Sequence, residues 1–526
     1  MAIHNQLFQL RNGLKLSQAE FGKMLGISQQ TVQKWETGAA VPTLEKVITI
    51  AKKTGVSIDA LALDYGMRTV EELRNQKILP NYNHMSAGEL YSENLQTEYQ
   101  QSVDEGKSVA EYRNLFSEVG KMPRGESKEK MADVLYHIVL NAPTAADYPF
   151  REPSDLEGIK ALRVPYEISA KAVDDQALFE KIYGAWMGRI CGCLLGKTVE
   201  GARTDELIPF LKLTGNYPLK KYIFRSEFTD EDVKHYKFGF SSRPYADVLR
   251  KMPFDDDTNY TVLYQELIRK YGRNFTSGDV LTTWVELQPK SSYFTAERIA
   301  YRNFINGFEA PDSAIYKNPC REWIGAQIRA DYFGYINIGK PELAAEMAYR
   351  DAVVSHVKNG IYGEMFAAAM IAVAGVADNI REIIMGGLAQ IPSTSRLYSR
   401  VLSVLHDFEN GVEQRECFRK IHHAFNEYDT HGWCHTIPNA MIVAASLLYG
   451  RNDFGTSVCM AVETGFDTDC NAATVGSVLG MKNGIRSIGE SWREPINDTL
   501  ETTVFGVGTV SVRERAELTL QHIREA

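Results

Sequence analysis

The sequence contains no CxxC pair, and its seven cysteines, an odd number, are scattered from Cys191 to Cys470 with only Cys191 and Cys193 close together. That pattern excludes a disulfide scaffold and points to reduced thiols in a reducing compartment. No uninterrupted apolar run reaches about 18 residues, so no membrane span is predicted. The opening residues MAIHNQLFQLRNGLKLSQ lack a basic segment followed by an apolar one, and a cytoplasmic protein is the expectation. Sustained period-2 alternation, internal repeats and low-complexity tracts are also missing. Nor is there an excess of positive charge: a net charge of -9 excludes a globally basic nucleic-acid binder, although residues 1–66 carry seven Lys/Arg against five Asp/Glu.

What is present is apolar residue in quantity, 44% of 526, enough to bury a large core and to divide into more than one folding unit. The expected fold class is all-α, a small helical domain over 1–66, a helical linker over 67–165 and a large helical domain over 166–526. In the first, Leu7, Leu10, Phe21, Leu25, Val32, Trp35, Leu44, Val47, Ile48 and Ala51 recur at helical spacing between turn signals at Asn12-Gly13, Gly26, Gly38 and Pro42. Ser17 with Glu20 three residues on reads as a capping box, and Ser28 caps a second helix after the Gly26 turn. Two short helices joined by a glycine turn make a helix-turn-helix whose second helix presents Gln29, Gln30, Gln33 and Lys34. Glutamine reads adenine bidentately in the major groove, and lysine or helix-terminal amides hold phosphates. In the linker, 69–79 and 128–142 read as helical. Farther on, helices are predicted around 176–196, 258–272, 342–356, 361–377, 397–410, 412–427, 437–449 and 455–464.

Three stretches carry the chemistry. In 183-YGAWMGRICGCLLGKTVEGA-202, Gly184, Gly188, Gly192 and Gly196 fall on one helix face, at a cost of roughly 3–4 kcal/mol relative to alanine. Close helix packing and a bare backbone surface beside a ligand, with Glu200 just beyond, are both open readings. In 252-MPFDDDTNYTVLYQ-265, Asp255, Asp256 and Asp257 open a helix; a cap with favourable dipole charges is one reading, and a hard divalent cation is the other. In 463-ETGFDTDCNAATVGSVLG-480, Asp467 and Asp469 again sit at a glycine-marked helix start. Two such clusters suggest a single dinuclear site. The segment 422-HHAFNEYDTHGWCH-435, with His422, His423, His431, Cys434 and His435, invites a zinc reading. It lacks a second ligand element nearby, so packing or a substrate-loop histidine is the preferred expectation.

Residues 5–66 closely resemble the Cro/repressor (XRE-type) helix-turn-helix family, which implies DNA contacts from Gln18, Ser28, Gln29, Gln30, Gln33 and Lys34, or a module used for dimerisation alone. Roughly residues 175–490 resemble the ADP-ribosylglycohydrolase family, in the glycine-rich helix, the Asp-Asp-Thr segment and the Gly-x-Asp-Thr-Asp segment. This implies a large orthogonal helical bundle with two Mg2+ ions at one end, Mn2+ being the alternative. By position, Asp256, Asp257, Asp467 and Asp469 match metal ligands, with Asp255 and Cys470 beside them. Asp255 and Cys470 stand where relatives usually carry hydroxyl residues. Cys193 replaces a common aspartate, and Glu200 matches a glutamate that approaches the metals. Gly325, Arg329 and His356 match substrate-contacting positions, and Asp256 or Asp255 the base. The function implied is Mg2+-dependent cleavage at ribose C1 of an ADP-ribosylated or ribosylated substrate, joined to DNA binding as a homodimer. The alternatives are a nucleoside N-ribosyl hydrolase and an ADP-ribose-sensing repressor with little turnover.

Overall fold

In the computed structural model, residues 3–62 and 79–525 are described. The helix expected at 69–79 therefore falls, except for its last residue, outside the described residues, as does the expected boundary at 66. The chain divides into two units, Met1–Tyr82 and Asn83–Ala526. Among the described residues, helices carry almost all regular structure, the exceptions being two three-residue antiparallel strands, Thr499–Glu501 and Thr509–Ser511. The all-α expectation holds. No helix among the described residues is long and apolar enough to cross a membrane.

The first unit consists of α1 (Ile3–Gly13), α2 (Gln18–Leu25), α3 (Gln29–Glu36), α4 (Leu44–Thr54) and α5 (Ile58–Ala62). Ser17 and Glu20 form the reciprocal cap at the start of α2. Gly26, at φ 72°, ends it in the left-handed conformation that lets the chain turn straight into α3. Ser28 caps α3 by accepting from the Thr31 amide at 3.1 Å. Leu7, Phe21, Leu25, Val32, Trp35, Val47 and Ile50 form the core. Leu44, expected in that core, opens α4 and is 67% exposed, because a first-turn position faces away from the packed side.

In the second unit, α6 (Leu95–Asp104) and α7 (Glu126–Asn141) surround a small core of their own that includes Leu95, Phe116, Leu135 and Val139. Buried ions help to join them, and the segment that follows them, to the rest of the unit. Arg321 pairs with Glu98 at 2.9 Å and Glu105 at 2.6 Å, and Arg396 pairs with Glu152 at 2.9 Å and Glu322 at 2.7 Å. The main bundle is built on α8 (Asp175–Lys197), α9 (Asp256–Tyr271), α10 (Thr295–Ile305), α11 (Asn359–Ala374), α12 (Thr436–Tyr449) and α13 (Thr468–Asn483). Helices α11 and α13 are buried along nearly their whole length, as expected of elements apolar on every side.

The most extensive helix–helix contact is between α8 and α13, and the glycine stripe explains it. A Cβ on Gly188 would stand 2.2 Å from the Gly476 carbonyl oxygen, one on Gly192 2.1 Å from that of Ala472, and one on Gly196 2.3 Å from the Thr468 oxygen and the Asp469 nitrogen. Close helix packing is thus what the stripe provides. By drawing the end of α8 against the start of α13, it also carries Lys197 and Glu200 to the Asp467–Asp469 turn. Because the obstruction at Gly188 is backbone, Gly188→Ala should lower stability by about 1–3 kcal/mol. Gly120→Ala, on an exposed helical site with nothing within 4 Å of the added carbon, should stabilise by roughly 0.4–1 kcal/mol. Thermal unfolding midpoints moving in opposite directions would bear this out; equal midpoints would not.

Candidate functional site

Both readings of the aspartate triplet are realised at once. Asp255 is the N-cap of α9, one carboxylate oxygen accepting from the Asp257 amide at 2.9 Å while the other pairs with Lys197 at 2.6 Å. Asp257, two residues on and fully buried, gives one oxygen to Arg189 at 3.1 Å and leaves Oδ2 without a hydrogen-bond partner. Arg189 also donates to the Asp257 carbonyl at 2.8 Å and to Asp331 at 2.8 Å, so one buried guanidinium fixes the start of α9.

The second cluster is aimed by strain. Gly465 at φ 75° and Phe466 at φ 58° are consecutive left-handed residues, and the latter is costly for a side chain of that size. The Phe466 carbonyl accepts from the Trp433 indole, and the Asp467 amide donates to Asn439. The Thr468 hydroxyl donates to the Gly196 carbonyl at 2.9 Å, pinning the first turn of α13 to the last turn of α8. Asp467 and Asp469 are thereby presented toward α9.

Asp255, Asp256, Asp467, Asp469, Cys470 and Glu200 line one cavity of about 520 Å³. Crowding them has an electrostatic cost. Burial, then the charges of Asp255, Asp257 and Glu200, push the Asp256 carboxyl well above the carboxylate range. Burial and Glu200 push Asp467 up to about 7 and hold Asp469 well above the ordinary carboxylate range. Asp255 behaves oppositely: burial raises it, but the Lys197 ammonium and its hydrogen bonds hold it below its ordinary range. Burial, then Asp255, raises Glu200, whose carboxylate also meets Arg243. Oδ2 of Asp257 and Oδ1 of Asp469 are buried and unpartnered, a demand that a divalent cation would satisfy. Carboxylate oxygens of Asp257 and Asp469 and the Cys470 sulfur lie within 4.8 Å of one another, so these residues fit a divalent metal.

The lining is also aromatic, with Trp323, Trp433, Phe254 and Phe294, and it contains a second glutamate, Glu297, that no spacing signal in the sequence marks. Glu297 lies against Gly325, where a Cβ would stand 1.9 Å from Oε1. Arg329 reaches Glu297 from behind at 2.9 Å. Gly325 lines the cavity as expected, but Arg329 and His356 do not. Both are wholly buried, Arg329 between Glu297 and Asp351 at 2.7 Å, and His356 beside the Ser355 hydroxyl at 2.8 Å. The short segment carrying Arg329 packs under α11, which turns its side chain into the core rather than the cavity.

The histidine segment packs beside Asp104, with only His431 hydrogen-bonded to it. Donor atoms of Asp104, His431 and His435 come within 4.8 Å of one another. Nδ1 of His431 accepts from the Trp323 indole at 3.0 Å, so its Nε2 carries the proton and donates to Asp104 at 2.9 Å. Nδ1 of His435 accepts from the Ile437 amide, leaving its proton on Nε2 as well. Both protons sit where a metal would bind. His422 contacts Thr464, and His423 is exposed. In the first unit, Ser28, Gln29, Gln30, Gln33 and Lys34 are exposed on α3, whereas the Gln18 amide is tied to Glu36 at 2.8 Å.

A protein-family model described as ADP-ribosylglycohydrolase matches residues 174–519, and one described as helix-turn-helix matches residues 7–61. The HTH-type transcriptional activator BcrR of Enterococcus faecalis is 33% identical over 86 residues, 16% of this chain and 42% of that protein. The cryptic phage CTXphi transcriptional repressor RstR of Vibrio cholerae serotype O1 is 34% identical over 61 residues, 12% of this chain and 54% of that protein. The chain thus spans about half the length of these curated relatives. A solved ADP-ribosylglycohydrolase-related protein complex, 15% identical, aligns over 66% of this chain and 99% of its own with a TM-score of 0.40.

Arg189→Gln would leave Asp257 and Asp331 buried with no cation, at a cost of about 3–5 kcal/mol. Adding Asp331→Asn should recover part of that loss in denaturant unfolding. Strictly additive destabilisation would show that the two carboxylates do not depend on the guanidinium.

Proposed function

The chain belongs to the ADP-ribosylglycohydrolase family, and on that premise we propose that its larger unit hydrolyses the glycosidic bond at ribose C1 of an ADP-ribosylated or ribosylated substrate, while its helix-turn-helix unit binds DNA. One observation carries the first half. Acidic side chains from two segments some 210 residues apart converge on a single cavity, with buried carboxylate oxygens lacking partners.

Asp256, Asp257, Asp467 and Asp469 would hold divalent cations, Mg2+ by family resemblance, with Asp255 and Cys470 at the margin. Such ions supply Lewis-acid stabilisation and lower the pKa of a bound water. The protein's own groups divide the remaining work. Asp256 lines the cavity, is half-buried and is biased to hold a proton, so its carboxylate is the base assigned to take one from the attacking water. Asp255 is unsuited to that role, because Lys197 stabilises its ionised form. Glu297 offers an acceptor for ribose hydroxyls, with Arg329 and Gly325 fixing its orientation. Trp323 and Trp433 give a flat apolar wall for a nucleobase and keep bulk water out.

On α3, Gln29, Gln30 and Gln33 are exposed for base contacts and Lys34 for phosphate. Recognition helices of this type act in pairs on half-sites, so a homodimer is part of the proposal. A second reading, a ribose-ligand-sensing regulator with slow turnover, is favoured by the relatives named as transcriptional activator and repressor. Mg2+-dependent release of ADP-ribose from protein, nucleic-acid and nucleoside conjugates separates the two.

Asp256→Ala and Asp469→Ala should each abolish that release with circular dichroism unchanged; turnover surviving in both would refute the site. Gln33→Ala should cost about 1–3 kcal/mol at its cognate base pair, and Lys34→Ala should reduce the salt slope of DNA binding by about one. Gel-shift titrations across salt read both, and no shift on the gene's own upstream DNA would count against the DNA-binding half.

A further inference from the structure

The departures from an all-oxygen cage fall in one place. Asp257 is shared by two sets of neighbouring donors, one with Asp469 and Cys470 and the other with Asp255 and Cys193, each set within 4.8 Å. Both sulfurs are buried, but they are not equivalent. Cys470 lines the cavity, while Cys193 is fully buried behind it, and the second set is already neutralised by Lys197 on Asp255 at 2.6 Å. Arg189 meets Asp257, which both sets share, at 3.1 Å, but the first set has no ion pair on Asp469, and it holds the two unpartnered oxygens, Oδ2 of Asp257 and Oδ1 of Asp469. One helical turn, the first of α13, presents both Asp469 and Cys470.

We propose that this inner set is a mixed sulfur–oxygen site that selects a thiophilic divalent cation of the zinc or cadmium class over magnesium, with Cys470 as the selecting ligand. The inference rests on the metal-dependent reading above. Magnesium demands a near-octahedral shell of hard oxygens, and a sulfur at one position removes one of them. Zinc accepts carboxylate and thiolate together and tolerates a low ligand number. As the sulfur–metal bond forms, the thiol S–H bond breaks and its proton leaves to solvent, so charge balances. The same selectivity is not available at Asp104, His431 and His435, whose ring protons already occupy the ligand positions.

The test uses the full-length protein stripped of metal with a chelator and titrated with Cd2+, Zn2+ or Mg2+. Cd2+ should produce a sulfur-to-cadmium charge-transfer band in the ultraviolet, and calorimetry should show Zn2+ preferred over Mg2+. Cys470→Thr restores a hard oxygen of similar size. It should remove the band and narrow the zinc preference by at least about tenfold, one decade of affinity, while far-ultraviolet circular dichroism and Mg2+ binding persist. Cys193→Ser should keep the band. Cd2+ binding without the band, or a band surviving in Cys470→Thr, overturns this inference and leaves Mg2+-dependent hydrolysis standing. Failure of the unsubstituted protein to bind any of the three cations overturns both.

Discussion

Four aspartates and two glutamates line one cavity, with Asp257 buried beside them, and the second unit is organised to tolerate their repulsion. Two cations do most of this. Lys197, at the end of α8, meets Asp255, and Arg189, two turns earlier on the same helix, meets Asp257 and Asp331. Both are at least three-quarters buried, so their attraction for carboxylates is weakly screened. They compensate the edge and the rear of the cluster, and leave Asp256, Asp467 and Asp469 facing the cavity without a cationic partner. A protein seeking stability alone would not keep that arrangement. It is the arrangement that the cation site proposed above requires.

The cavity walls depend on a region outside the family match. Carboxylates on or beside α6 hold Arg321 and His431, and Glu152 helps to hold Arg396. These groups flank the segments that supply Trp323, Gly325, Trp433 and Cys434 to the cavity. The two segments are joined directly, the Ile324 amide to the Cys434 carbonyl at 2.8 Å and the Thr436 amide to that of Glu322 at 3.1 Å. Residues 83–165 thus act as a buttress for the segments that bring Trp323 and Trp433 to the cavity.

Much of this was legible in the sequence. The helix from Asp175 to Lys197 and those at 359–374, 396–409, 436–449 and 454–463 lie within a few residues of the expected bounds, whereas Thr295–Ile305, Ile380–Leu388 and Val512–Arg524 have no counterpart among them. The acidic clusters were legible because charge at a helix start beside glycine is conspicuous. Depth was not: a motif fixes the identity of Arg329 and His356 but not which way their short segments roll against α11. Glu297 was invisible for a related reason. Its role comes from the missing side chain at Gly325 and from Arg329 behind it, neither of which is near it in the chain. The histidine segment shows the same limit, since spacing reveals proximity but not the tautomers that the Trp323 indole and the Ile437 amide impose.

The seam between α8 and α13 has a near-degeneracy built into it. In the observed register, Gly184, Gly188, Gly192 and Gly196 face Gly480, Gly476, Ala472 and Thr468. Sliding by one turn, about 5.4 Å, would set the same four against Gly484, Gly480, Gly476 and Ala472, residues at least as small. The stripe therefore specifies contact without specifying alignment. Alignment comes from polar groups that tie one helix to the other at fixed positions: Thr468 on the Gly196 carbonyl and Lys181 on the Lys482 carbonyl. In this bundle the glycines act as a slide, and a few hydrogen bonds act as the detent that stops it where the carboxylates meet.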